Sequence, residues 1–140
     1  MSKTLVTYFS ASGVTARKAQ QIANKVGGDV AAIEPEVAYT SADLNWQDSG
    51  SRSSVECKDP ACRPAMKPVD AEWVAYDTVY VGYPIWWYTA PNIIFTFFDT
   101  YKEELAGKTI KLYMTSGGST IAKSVKDLAA AYPSLDISAE

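Results

Sequence analysis

Three hydroxyl side chains, Ser10, Ser12 and Thr15, crowd a short stretch around Gly13, and residues of these types at this spacing suit the holding of an anion. Before the stretch, Thr4 to Phe9 are β-branched, aromatic or apolar, which predicts a buried strand. After it, Ala19, Ile22, Ala23 and Val26 recur at helical spacing and predict a helix over Val14 to Val26. Where a strand end meets a helix start, free backbone N–H groups and the positive end of the helix dipole face the turn. No Lys or Arg lies inside the turn, so a bound anion would meet neutral donors. That suits a phosphate monoester kept in place better than a triphosphate being cleaved. Read alone, the turn is equally an ordinary connection into a capped helix, because hydroxyls are common at helix starts.

Two further stretches give it meaning. Tyr83-Pro84-Ile85-Trp86-Trp87-Tyr88-Thr89-Ala90 follows a predicted third strand, Asp77 to Gly82. Trp86, Trp87 and Tyr88 offer flat surfaces to a planar ring, each stacked pair worth roughly 0.5–1.5 kcal/mol beyond area burial. The three cannot all face one ring, so at least one fits a core or a subunit interface equally well. Ser116-Gly117-Gly118-Ser119 follows a predicted fourth strand, Thr109 to Thr115. Its two glycines let backbone approach a ligand closely. A phosphate at one end, a planar ring at the other and a flexible chain between them describe flavin mononucleotide (FMN).

The elements that must position these loops alternate strand and helix. Gly27-Gly28 stops the first helix, and Asp29 to Ile33 is a short second strand. Pro91 is expected at the first position of a helix whose apolar stripe is Ile94, Phe97, Phe98 and Tyr101. A last helical pattern puts Ile121, Val125, Leu128, Ala129 and Tyr132 on one face, and Leu135 to Ile137 begins a fifth strand. Residues 35–75 lack periodicity, too long a stretch for a structureless loop, so a short helix or a segment packed over a site is expected there. Ser53 to Glu56 has the form of a capping box. The alternation predicts an open parallel sheet in one domain over residues 1–140. In such sheets ligands bind outside the carboxyl ends of the strands, the edge to which all three loops belong.

At these residues the chain resembles a short flavodoxin-like family. Ser10-x-Ser12-Gly13-x-Thr15 is similar to its phosphate loop. Gly82-Tyr83-Pro84-Ile85-Trp86-Trp87 with Ala90-Pro91, and Thr115-Ser116-Gly117-Gly118-Ser119, are similar to its other two signatures, and Arg63-Pro64-Ala65 also fits. The resemblance implies a five-stranded sheet in the order 2-1-3-4-5 with helices on both faces, and non-covalent FMN. It implies that Ser10, Ser12, Gly13, Val14 and Thr15 hold the phosphate. Pro84, Ile85, Trp86, Trp87, Tyr88, Thr89 and Ala90 would lie along the ribityl chain and isoalloxazine, with Ser116, Gly117, Gly118 and Ser119 near the pyrimidine side. The sequence departs from the family in having Val14 where many members have Asn. It also lacks the last helix beyond the fifth strand, so a truncated chain or another cover for that sheet face is expected.

Composition excludes other chemistry. There is no His, which removes Ser-His and Cys-His nucleophile pairs. Two cysteines, Cys57 and Cys62, cannot fill a zinc site, and no metal site is expected. Cys57 and Arg63 have the spacing of a phosphatase loop, but Pro64 stands where Ser or Thr is needed. A receiver domain needs acidic residues where Ser10 and Tyr83 stand, and a Walker-type nucleoside triphosphatase needs a Gly-Lys-Ser/Thr that is absent. A net charge of −3 without basic clusters argues against nucleic acid. No apolar run follows the first residues or is long enough to span a bilayer, so a cytoplasmic, membrane-free protein is expected. The expectation is therefore a redox flavoprotein, with no catalytic side chain required. It would transfer electrons to a partner protein, or reduce a small acceptor such as a quinone from NAD(P)H, as monomer or homodimer. The alternative is a non-enzymatic flavin- or partner-binding protein.

Overall fold

The computed structural model describes residues 4–9, 13–37, 40, 50–52, 55–56, 62–69, 73–84, 90–115 and 121–139. The elements are β1 (Thr4–Tyr8), α1 (Val14–Val26), β2 (Asp29–Ala32), a single 3-10 turn (Trp73–Ala75), β3 (Thr78–Pro84), α2 (Asn92–Leu105), β4 (Thr109–Thr115), α3 (Ala122–Ala131) and β5 (Asp136–Ala139). All strand pairs are parallel, in the order β2-β1-β3-β4-β5.

Alternation along the strands divides the core in two. Leu5, Val79, Val81, Tyr83, Ile110 and Leu112 pack against Ile93, Ile94, Phe97 and Phe98 of α2 and Leu128 of α3. Val6 and Tyr113, facing the other way, pack against Ala19, Ile22 and Ala23 of α1. Helices therefore lie on both faces, as the family resemblance implies. On the α1 face, β4 and β5 present Thr109, Lys111, Asp136 and Ser138. These residues tolerate water, so this part of the sheet needs no apolar cover.

One contact on the α1 face shapes β3. Tyr113 lays its ring across Gly82, and its hydroxyl donates to the Thr7 carbonyl two strands away at 2.8 Å. A Cβ at position 82 would fall against the ring at Cε2, Cζ and Oη. Gly82 is required by this close approach rather than by its backbone dihedral.

Where the sequence has no periodicity, polar contacts to backbone replace it. Glu36 N–H donates to Ala65 O and Lys67 N–H to Glu34 O, bridging Pro35 to Met66. The segment from Cys62 onward then follows α2. Asn92 Nδ2 donates to the carbonyls of Glu56 and Cys62 at 2.9 and 3.1 Å, and Thr96 Oγ1 donates to Pro64 O at 2.9 Å. Further along, Tyr101 Oη accepts from Val69 N–H, and Trp73 packs on Phe97 and Tyr101. The described part of the segment therefore packs as a strap along α2, where the sequence leads one to expect a short helix or a cover over a site.

The capping-box pattern falls on Ser53 and Ser54, which lie outside the described residues; nearby, Ser51 O accepts from Val55 N–H. Two local expectations change. Pro91, with ψ 150°, is the N-cap of α2 and leaves the first helical position to Asn92. β3 runs two residues beyond Gly82, through Tyr83 and Pro84, because the ladder with β4 continues to Pro84–Thr115.

Candidate functional site

β1, β3 and β4 are adjacent, with Tyr8 level with Gly82 and Gly82 level with Tyr113. Neighbouring strands lie about 4.8 Å apart, so the three loops leave the sheet within roughly 10 Å of one another. The strand order reverses between β1 and β3, which is the switch point where open α/β sheets bind ligands. The three stretches chosen for their chemistry thus begin at one edge of the sheet.

Gly13 is the N-cap of α1, with φ 90° in the left-handed region that favours glycine. Gly13 has no side chain with which to cap this helix, and the first turn holds no acidic residue. Its N–H groups and dipole therefore face the first loop without a carboxylate to compete with an incoming anion. This donor set fits the phosphate of FMN. Val14 is the first helical residue. Thr15 is 2% exposed, and its hydroxyl meets that of Thr115 at 2.7 Å, joining the first turn of α1 to the end of β4. In such a pair one hydroxyl donates to the other and keeps a lone pair, while the acceptor keeps its proton for a third group.

The second loop starts from Pro84, the last residue of β3, and ends at Ala90, which is fully buried. Tyr83 fixes its root. The Tyr83 side chain is inaccessible, and its hydroxyl donates to Ser124 Oγ at 2.9 Å, which in turn donates to Ile121 O at 2.8 Å. This chain ties the end of β3 to the residues that receive the third loop. Burial is the main cause pushing the Tyr83 phenol up to about 12, with the Ser124 hydrogen bond opposing it and the charge of Asp127 adding to it. Gly13, Val14, Thr15, Pro84 and Ala90 are thus placed at the carboxyl edge. Ser10, Ser12, Ile85, Trp86, Trp87, Tyr88, Thr89, Ser116, Gly117, Gly118, Ser119 and Cys57 lie outside the described residues.

Two features escape a reading of the loops alone. Lys18, on the inward side of α1, donates to Met114 O at 3.0 Å and stands 6.0 Å from the centre of the Tyr113 ring. Its place on the stripe with Thr15 and Ile22 was the available signal, but a lysine ordinarily reads as solvated. The second is a latch on the strap. Arg63 Nε meets Asp99 Oδ2 at 2.6 Å and its guanidinium lies 5.3 Å from the Phe95 ring centre. Tyr132 donates to the other oxygen of Asp99, joining α2 to α3. Burial pushes the Asp99 carboxyl up, but hydrogen bonds from Tyr132 and Arg63 and the nearby cations outweigh it and the pKa falls. Tyr132 is driven up, by burial first and then by Asp99. Among the described residues no His, Cys, Asp or Glu cluster could hold a metal ion, and no helix is long and apolar enough to cross a membrane.

Comparison with known proteins agrees with this architecture. A candidate flavoprotein from Bacteroides eggerthii is 49% identical with a TM-score of 0.95, over 99% of this chain and 86% of the other. One from Bacteroides uniformis is 46% identical with a TM-score of 0.91, over 99% and 87%. A Lactobacillus acidophilus flavoprotein in complex with FMN shares the fold at 20% identity and a TM-score of 0.81, over 98% and 90%. No match was found among curated proteins. The model of the family described as Flavodoxin matches residues 3–139, and the chain belongs to that family.

Proposed function

We propose that this protein binds FMN non-covalently at the carboxyl edge of its sheet and uses it for redox chemistry. The observation that carries the reading is the start of α1 at a left-handed Gly13 with no acidic residue in its first turn, set beside the roots of the aromatic and glycine-rich loops on adjacent strands. When bound, the flavin supplies the electron or hydride chemistry. The chain's part is to bind and orient it. Ser10, Ser12, Gly13, Val14 and Thr15 would hold the phosphate. Pro84 to Ala90 would line the ribityl chain and ring, and Ser116 to Ser119 would lie near the pyrimidine side. Tyr83, through Ser124, ties the residue before the second loop to Ile121, which follows the third.

The reading favours reduction of a small acceptor, such as a quinone, from NAD(P)H over a dedicated electron carrier. Electron carriers that dock by charge are strongly acidic, whereas this chain carries only −3. Fluorescence titration of FMN with the protein tests binding: saturable quenching at one flavin per chain supports the reading, and unchanged emission refutes it. Stopped-flow mixing with NADPH and a quinone tests the reaction. Turnover above that of free FMN is the expected result, and turnover equal to free FMN removes the reductase assignment.

A further inference from the structure

Lys18 is a cation in a place where the loops themselves supply none. It lies one turn beyond Thr15 on the inward side of α1, flanked there by Ala19 and Ile22, both buried. Its ammonium is not paired with any carboxylate among the described residues; it donates to the Met114 carbonyl at 3.0 Å. That carbonyl adjoins Thr115, so covalent geometry alone puts Nζ within about 5 Å of the Thr115 nitrogen. The Thr115 hydroxyl in turn touches that of Thr15. Side chains on a helix lean toward its amino end, so the Lys18 stem runs toward the first loop. The Thr15 hydroxyl and the ammonium therefore contact neighbouring residues, Thr115 and Met114, at the junction of α1 and β4 near the start of the helix.

We infer that Lys18 is a specificity-determining residue, supplying the positive potential by which the site prefers a phosphorylated flavin to an unphosphorylated one. The inference rests on the FMN reading of the site. A phosphate monoester carries close to two negative charges near neutral pH, and a half-buried cation is screened less by salt than a surface one. The hydrogen bond to Met114 O holds the ammonium at the junction, so its charge acts through space on the phosphate without touching the ring. A ligand lacking the phosphate gains nothing from it.

The test compares FMN with riboflavin by fluorescence titration, on wild type and on Lys18→Met, with Lys18→Arg as the charge-retaining control. Circular dichroism melting of each apoprotein checks the fold. The expected result is that Lys18→Met weakens FMN binding by about tenfold, flattens its salt dependence and leaves riboflavin binding within about twofold of wild type. Lys18→Arg should restore the preference for FMN. Equal losses for FMN and riboflavin would overturn the inference and make Lys18 a structural tie between α1 and β4. An unchanged FMN-to-riboflavin ratio would overturn it too, while leaving the FMN reading intact. Should Lys18→Met fail to fold, the ratio in Lys18→Gln and the salt dependence of the wild type decide by the same criteria. If the wild type bound neither flavin, the functional reading itself would fall.

Discussion

Replacing Gly82 with alanine is the sharpest test of how this sheet is built. The new methyl would meet the Tyr113 ring at well under 3.0 Å. The ring cannot rise, because Ala19, Ile22 and Ala23 of α1 pack with it. Nor can it slide without breaking the bond from its hydroxyl to Thr7 O. It must swing out. The lost hydrogen bond costs about 1 kcal/mol. Exposing half of an aromatic side chain that buries roughly 150–250 Å² costs about 2 kcal/mol more. A total near 3 kcal/mol corresponds to a fall in Tm of about 10 °C for a domain of this size. Thermal unfolding followed by circular dichroism measures it. The double mutant isolates the cause: in a Tyr113→Ala background the obstacle is gone, so adding Gly82→Ala should cost no more than about 0.5 kcal/mol. A single Gly82→Ala variant melting within about 2 °C of wild type, or a full penalty persisting without the tyrosine ring, would refute the reasoning.

Three other perturbations probe the site. Gly13→Asp and Gly13→Ala share the backbone strain of a left-handed N-cap, but only the aspartate sets a carboxylate against a phosphate. FMN titration should show binding abolished in the first and retained, though weaker, in the second; equal affinities would displace the phosphate from this turn. Thr15→Val removes the bond to Thr115 at a cost of about 1 kcal/mol and should weaken FMN several-fold, read by the same titration, with undiminished affinity contradicting its placement. Tyr83 titrates at about 12 in the fold and near 10 when unfolded, so the unfolded chain releases its proton first. The stability this confers is complete below about pH 10 and is lost as pH rises toward 12. Tyr83→Phe should therefore flatten the alkaline decline of stability in urea melts, and an unaltered slope would count against a buried neutral phenol.

The strands and α1 were legible because their residues serve local rules. Thr4 to Tyr8 is β-branched and apolar, and Gly27, at φ 69°, ends α1 where a left-handed residue is needed. The expected stripe of α2 is also the buried one at Ile94, Phe97 and Phe98. Residues 35–75 were not legible, because their order comes from contacts across the chain. The amide of Asn92 binding Glu56 O and Cys62 O leaves no periodic trace. Lys18 was missed for a related reason. The absence of Lys and Arg from the turn is true of the sequence neighbours, whereas the helix brings its cation from one turn further along. Tyr113 alternates correctly as an inward residue, yet nothing in that alternation says that it crosses β3 at Gly82 to reach Thr7. That the three loops start from one edge was legible because parallel topology places every strand-to-helix loop on one side.

The claim that this edge is an FMN site is tested most directly by the visible absorption spectrum of the purified protein, mixed with excess FMN and then desalted. The account predicts flavin bands that travel with the protein at one equivalent per chain. Protein that emerges from the column without flavin absorbance would contradict it.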